Sequence, residues 1–137
     1  MKRLLILCRK YPLSALCVAV IWILCVMPIP ETPLDHVRFI DKWTHLVMYA
    51  GLCAVIWLEM ARHGLGRAWK NLLLYAVAMP ILMGGLIELV QAYCTGGNRS
   101  GEWLDWAADS VGVLIGQLIG MLLAACVARY RRGRVAG

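Results

Sequence analysis

The sequence predicts an all-α membrane protein: a single domain of four helices packed as an integral membrane bundle, with both termini in the cytoplasm. Three observations carry this reading. First, 61% of the 137 residues are hydrophobic and the mean hydropathy is +0.70, whereas a soluble domain is about half apolar. Second, the apolar residues gather into four stretches at approximately 13–28, 43–61, 72–93 and 106–128. A spanning helix needs about 20 mostly apolar residues, a length that the last three meet. Third, the basic residues alternate in position with the spans. Lys2, Arg3, Arg9 and Lys10 precede the first, Arg62, Arg67 and Lys70 separate the second from the third, and Arg129, Arg131, Arg132 and Arg134 follow the fourth. Eleven of the 14 Lys and Arg therefore fall on one side, which the positive-inside rule assigns to the cytoplasm.

The first stretch is the shortest. Its basic lead resembles a signal peptide, but Met27-Pro28-Ile29-Pro30 offers no small-x-small cleavage site, so the helix is read as retained. It starts after Tyr11-Pro12, where proline fits a first turn, and stops at Pro28 and Pro30. The second runs to about Ala61, before His63-Gly64. The third contains Pro80 and Gly84-Gly85, which permit a kink or a close helix contact. The glycine-rich loop 95–101 follows, and then the fourth stretch with Ala108, Gly112, Gly116, Gly120 and Ala124 at four-residue spacing. Such a row lets backbones approach closely in lipid. Trp43, Trp103 and Trp106 mark an outer interface, and Trp57 and Trp69 an inner one.

The net charge of +6 is spent on topology and on anionic headgroups, so no nucleic-acid partner is expected and the implied partners are membrane lipids. The six cysteines are scattered without C-x-x-C spacing and read as apolar fillers.

Acids gather on the other side: Glu31, Asp35, Asp41, Glu102, Asp105 and Asp109 lie in or near the outer loops, with Glu88 in the outer part of its helix. A charge at the centre of a membrane helix costs about 2.5–3.5 kcal/mol on insertion scales, so several in one layer indicate a shared site. His45 is placed about 5 Å inside the second span, Asp109 about 5 Å inside the fourth and Glu88 about 9 Å inside the third, from the rise per residue. Asp41, His45 and Tyr49 follow at four-residue intervals, Gln91 sits a turn above Glu88, and Lys42, Arg99 and Asp105 form a rim. The expected result is a polar cup opening outward. His45, Glu88 and Asp109 are the candidates for acid–base chemistry; Asp41, Lys42, Tyr49, Gln91, Arg99 and Asp105 are the candidates for binding. Most have a structural alternative: Asp41 as a cap or dipole partner, Asp105 as a cap, Lys42 as a snorkelling side chain, His45 as a hydrogen-bonded core residue, Tyr49 as packing, Gln91 as a helix cross-link, Glu88 as an ion-pair partner of Arg99 or Lys42; Asp109 has none. No nucleophile motif is present, and a single histidine without paired ligand spacing gives the expectation of no metal and no cofactor. Whether the chain is an enzyme stays open.

Asp41-Lys42-x-x-His45-x-x-x-Tyr49, Glu88-x-x-Gln91, Arg99-Ser100 and Asp105-x-x-Ala108-Asp109-x-x-Gly112-x-x-x-Gly116 together resemble the pattern of the VanZ-like family of small bacterial membrane proteins. The resemblance covers roughly residues 41–120. It departs at Asp109, where many relatives carry asparagine, and in a longer glycine-containing insert before Arg99. It implies a multi-pass protein of the bacterial cytoplasmic (inner) membrane, in a family associated with lowered sensitivity to the glycopeptide antibiotic teicoplanin. The function expected from residues and resemblance together is an envelope protein whose outward site binds or modifies the headgroup of a lipid or cell-wall precursor. The alternatives are a small proton-coupled transporter and a structural or partner-binding subunit.

Overall fold

The computed structural model describes residues 6, 8–28, 39–63, 73–96 and 100–135. Among these the chain is all-helical. Helix α1 is Pro12–Val26 and α2 is Ile40–Arg62. Helix α3, Met79–Cys94, is entered through a π-helical segment, Leu73–Ala78. Helix α4 is Trp103–Val135. Three helices, Ile40–Arg62, Leu74–Cys94 and Trp103–Arg134, are long and apolar enough to cross a membrane. At 15 residues, α1 reaches only about 22 Å at 1.5 Å per residue, less than the roughly 30 Å hydrocarbon layer.

Two helices are longer than hydropathy suggests. Helix α2 starts at Ile40 instead of Trp43, and α4 runs from Trp103 to Val135 instead of 106–128. Hydropathy marks only the apolar part of a helix, while backbone hydrogen bonding continues into polar flanks. Phe39, at φ 61°, turns the chain into α2 in the left-handed region, which is uncommon for a residue with a side chain.

Neighbouring helices in the sequence run antiparallel, as their contacts require. Glu59 near the end of α2 meets Leu13 and Ser14 at the start of α1. Ala76 and Gly84 meet Gln117 and Asp109 in reverse order. Helices α2 and α4 run parallel: a Cβ at Gly112 would collide with the Leu46 carbonyl, one at Gly116 with Ala50 and Cys53, and one at Gly120 with the Trp57 ring. The glycines of the small-residue row are therefore a close-packing face, as their spacing indicates, and α2 is the helix seated on it.

Pro80 has a traceable effect. Lacking an N–H, it cannot bond the carbonyl four residues back, and the backbone there takes the wider π geometry. That carbonyl, of Ala76, instead accepts from Gln117 Nε2 at 2.6 Å and from the Cys53 thiol at 3.3 Å. Gln117 Oε1 in turn accepts from Trp57 Nε1 at 2.7 Å. Trp57 is thus tied to the other helices by its indole N–H.

The outside is apolar and the inside holds charge. Leu82, Leu89, Leu114, Leu118 and Leu122 are exposed, while His45, Glu59, Glu88, Gln91, Asp105 and Asp109 are buried. A soluble protein does the reverse, and with lipid as solvent this is the favourable arrangement. The apolar core of Ile21, Cys25, Tyr49, Leu52, Cys53, Ile87 and Val113 draws on all four helices.

Candidate functional site

The longer α2 and α4 change the depth of the polar layer. His45 is five residues from the start of α2, Glu88 six from the end of α3, and Asp109 six from the start of α4. Each is about 8–9 Å inside its helix by rise per residue, deeper and more nearly level than 5, 9 and 5 Å. Each helix then turns its residue inward. On α3 the buried positions Gly84, Ile87, Glu88 and Gln91 follow the three- and four-residue spacing of one helix face.

At the centre, His45 Nδ1 lies 2.9 Å from Asp109 Oδ1. An ionised carboxylate only accepts, so the imidazole Nδ1–H donates and leaves the Nε2 lone pair free. Glu88 Oε1 is 4.0 Å from His45 Nδ1, and one donor atom from each of His45, Glu88 and Asp109 lies within 4.8 Å of the other two. Asp109 is fully buried, His45 is 5% exposed and Glu88 7%. Asp109 fits because Gly84 has no side chain: a Cβ there would stand 2.5 Å from Asp109 Oδ2.

Glu88 does not pair with Lys42. Its Oε2 accepts the Glu102 backbone N–H at 2.8 Å, a contact that depends on Gly101, where a Cβ would strike α3. Lys42 donates to Glu102 Oε2 at 2.6 Å and forms an ion pair with Asp105 Oδ1 at 2.9 Å, so Lys42, Glu102 and Asp105 form a rim tying α2 to α4. Glu102 is a rim member that the sequence reading left out; its place between Gly101 and Trp103 gave no sign of the contact. Arg99 lies outside the described residues.

Gln91 cross-links helices, its Nε2 donating to the Cys25 carbonyl at 2.8 Å. Tyr49 is fully buried in the core, and its hydroxyl has no partner among the described residues. Asp41 is exposed and stands in the first turn of α2, where its charge suits the helix dipole; the N-cap position belongs to Phe39. The reason is angular. Residues four apart are 40° out of register on a 3.6-residue helix, so over two steps Asp41 swings off the face that Tyr49 buries.

The cluster is enclosed where the sequence suggested an open cup. Its three members are buried, next to the Lys42–Glu102–Asp105 rim. Two of its oxygens, Glu88 Oε1 and Asp109 Oδ2, have no hydrogen-bond partner among those residues. Such groups cost about 1–3 kcal/mol or more when left unmatched.

Glu59, near the end of α2, holds the other end of the molecule. Its carboxylate accepts from Leu13 N at 2.9 Å, Ser14 N at 2.8 Å and Ser14 Oγ at 2.6 Å. These are free amides of the first turn of α1, and the negative charge sits at the positive end of that helix.

No family model matches this chain, and neither does any curated protein or solved structure.

Proposed function

We propose that this chain is a four-span protein of the bacterial cytoplasmic membrane, both termini inside, whose buried polar cluster receives the headgroup of a membrane lipid or lipid-linked cell-wall precursor. The observation that carries the reading is the meeting of His45, Glu88 and Asp109 from three helices, with Nδ1 and Oδ1 2.9 Å apart. Charge distribution supports the orientation, since the cluster lies at the ends of α2, α3 and α4 opposite the basic segments. The motif resemblance to VanZ-like proteins supports an envelope role and, with it, an effect on teicoplanin sensitivity.

The chemistry available is proton exchange. Asp109 orients the imidazole through Nδ1, so Nε2 is the atom that takes or returns a proton, as in other carboxylate-oriented histidines. Lys42 is the cation nearest the cluster among the described residues, and a headgroup phosphate would compete with Glu102 and Asp105 for it. Binding alone needs the same groups without the proton step.

Transport is less well supported. Tyr49, Leu52, Cys53, Ile87 and Val113 form an apolar layer past the cluster, and the polar groups nearer the other end, Glu59 and Gln117, are fully engaged in helix contacts. To test the proposal, Glu88→Gln, His45→Ala and Arg99→Ala are compared with wild type for envelope-drug sensitivity and lipid profile at matched expression. A change in both is expected; three variants indistinguishable from wild type would remove the headgroup reading.

A further inference from the structure

We propose that His45, Glu88 and Asp109 together hold a first-row divalent metal ion, Zn2+ or Mn2+, one donor atom coming from each of α2, α3 and α4. No linear spacing signals such a site, because each ligand lies on a different helix.

Charge is the first ground. Two carboxylates are buried within 4.8 Å of one imidazole, and a protonated histidine neutralises only one of them. The nearby ammonium of Lys42 is committed to Glu102 and Asp105. A dication balances both carboxylates and leaves the histidine neutral, the form in which it ligates.

Geometry is the second and independent ground. Glu88 is 7% exposed; its Oε2 is occupied by the Glu102 amide, while its Oε1 faces His45 Nδ1 at 4.0 Å with no hydrogen-bond partner among the described residues. A proton on Oε1 finds no acceptor in His45, whose Nδ1 is 4.0 Å away and is itself a donor. An ion does. With metal–ligand lengths of about 2.0–2.2 Å, donors sharing one ion lie about 3–4 Å apart; the 4.0 Å His45–Glu88 edge is at the upper end of that range, and a donor set within 4.8 Å closes on an ion by a small inward movement of the Glu88 side chain. On the other edge, Nδ1 and Oδ1 at 2.9 Å need to open by only a few tenths of an ångström as the ion replaces the proton between them.

The donor set selects the ion. One imidazole nitrogen with two carboxylate oxygens suits zinc and manganese better than magnesium or calcium, which prefer oxygen alone. Three protein ligands leave a coordination position open. This inference rests on the same cluster as the proposed function; with Nδ1 on the ion the neutral imidazole carries its proton on Nε2, so the binding form of that reading applies, and a headgroup phosphate oxygen is the ligand that would complete the ion's shell.

The experiment uses the full chain in lipid nanodiscs, stripped with EDTA and titrated with ZnCl2 or MnCl2. Bound metal is measured after exchange into ion-free buffer. About one equivalent per chain is expected, with affinity lowered at least tenfold in Glu88→Gln and Asp109→Asn and unchanged in Asp41→Asn. Should either variant not fold, Co2+ added to wild type gives the second readout. Visible absorption of nitrogen and oxygen ligation supports the site, while a thiolate charge-transfer band assigns the ion to cysteine and overturns it. Less than a tenth of an equivalent in folded wild type, or binding untouched by the variants, also overturns it. Headgroup lipid retained by the EDTA-stripped protein with no metal uptake would leave the functional proposal standing and remove this one. Metal bound stoichiometrically with no headgroup retained would do the opposite.

Discussion

His45 and Asp109 illustrate how unequal the two sides of a buried pair are. Truncating His45 to alanine leaves the Asp109 carboxylate buried and without its donor, and breaking a buried pair from one side costs about 3–5 kcal/mol. Asp109→Asn keeps an oxygen to accept from Nδ1–H and removes the charge, so its cost is expected to be less than half as large. Thermal unfolding in detergent measures both, and equal losses would contradict the assigned hydrogen bond. The candidates themselves were legible from sequence, because a charge beside hydrocarbon is conspicuous whatever its partner. Their partners were not. Lys42 looked equally suited to Glu88 or to snorkelling, and its actual contacts with Glu102 and Asp105 depend on where α4 begins. Asp41 was grouped with His45 and Tyr49 by a four-residue spacing whose 40° drift per step carries it off the shared face.

At the level of elements, contact between helices decides which changes are tolerated. Gly51 is exposed and an added Cβ there meets nothing within 4 Å, whereas at Gly116 it would come within 2.6 Å of the Ala50 carbonyl oxygen. Gly51→Ala is therefore expected to stabilise by up to about 1 kcal/mol, the helix-propensity difference, and Gly116→Ala to destabilise; the sign of each melting shift is the check. The π-helical entry to α3 gives a coupled pair. Gln117→Leu strips the Ala76 carbonyl of its amide donor, at a cost of about 1–3 kcal/mol. In a Pro80→Ala background a backbone N–H becomes available to that carbonyl, and the same change should cost distinctly less. A double-mutant cycle with no coupling would show that Pro80 does not free the carbonyl. This contact could have been found in advance, since a proline within a helix exposes the carbonyl four residues earlier and Gln117 was the polar side chain on α4 with nothing else to explain it. That α4 offers a face for close helix packing was readable from five small residues at one spacing; that α2 is the helix seated there was not, because the row carries no sign of its partner.

Across the whole molecule, polar contacts concentrate toward two ends with an apolar layer between. At one end Glu59 secures the first turn of α1; Glu59→Ala should loosen that turn by about 0.5–2 kcal/mol, the range for a lost N-terminal cap, seen as faster hydrogen exchange at the Leu13 and Ser14 amides with the exchange of α4 unchanged. At the other end His45, Glu88 and Asp109 meet under a charged rim, and Glu88 carries an oxygen that the described residues do not satisfy. Hydropathy alone located the long helices and the layer in which the acids lie. It could not show that the cluster would be enclosed, because enclosure follows from Gly84 and Gly101 admitting Asp109 and Glu102 against α3. The most direct measurement of the account is native mass spectrometry of the protein released from lipid nanodiscs, wild type beside Glu88→Gln. Retention of a phosphate-bearing lipid by wild type, and its loss from a variant that melts at a similar temperature, is the predicted result. Identical lipid retention by the two folded proteins would contradict it.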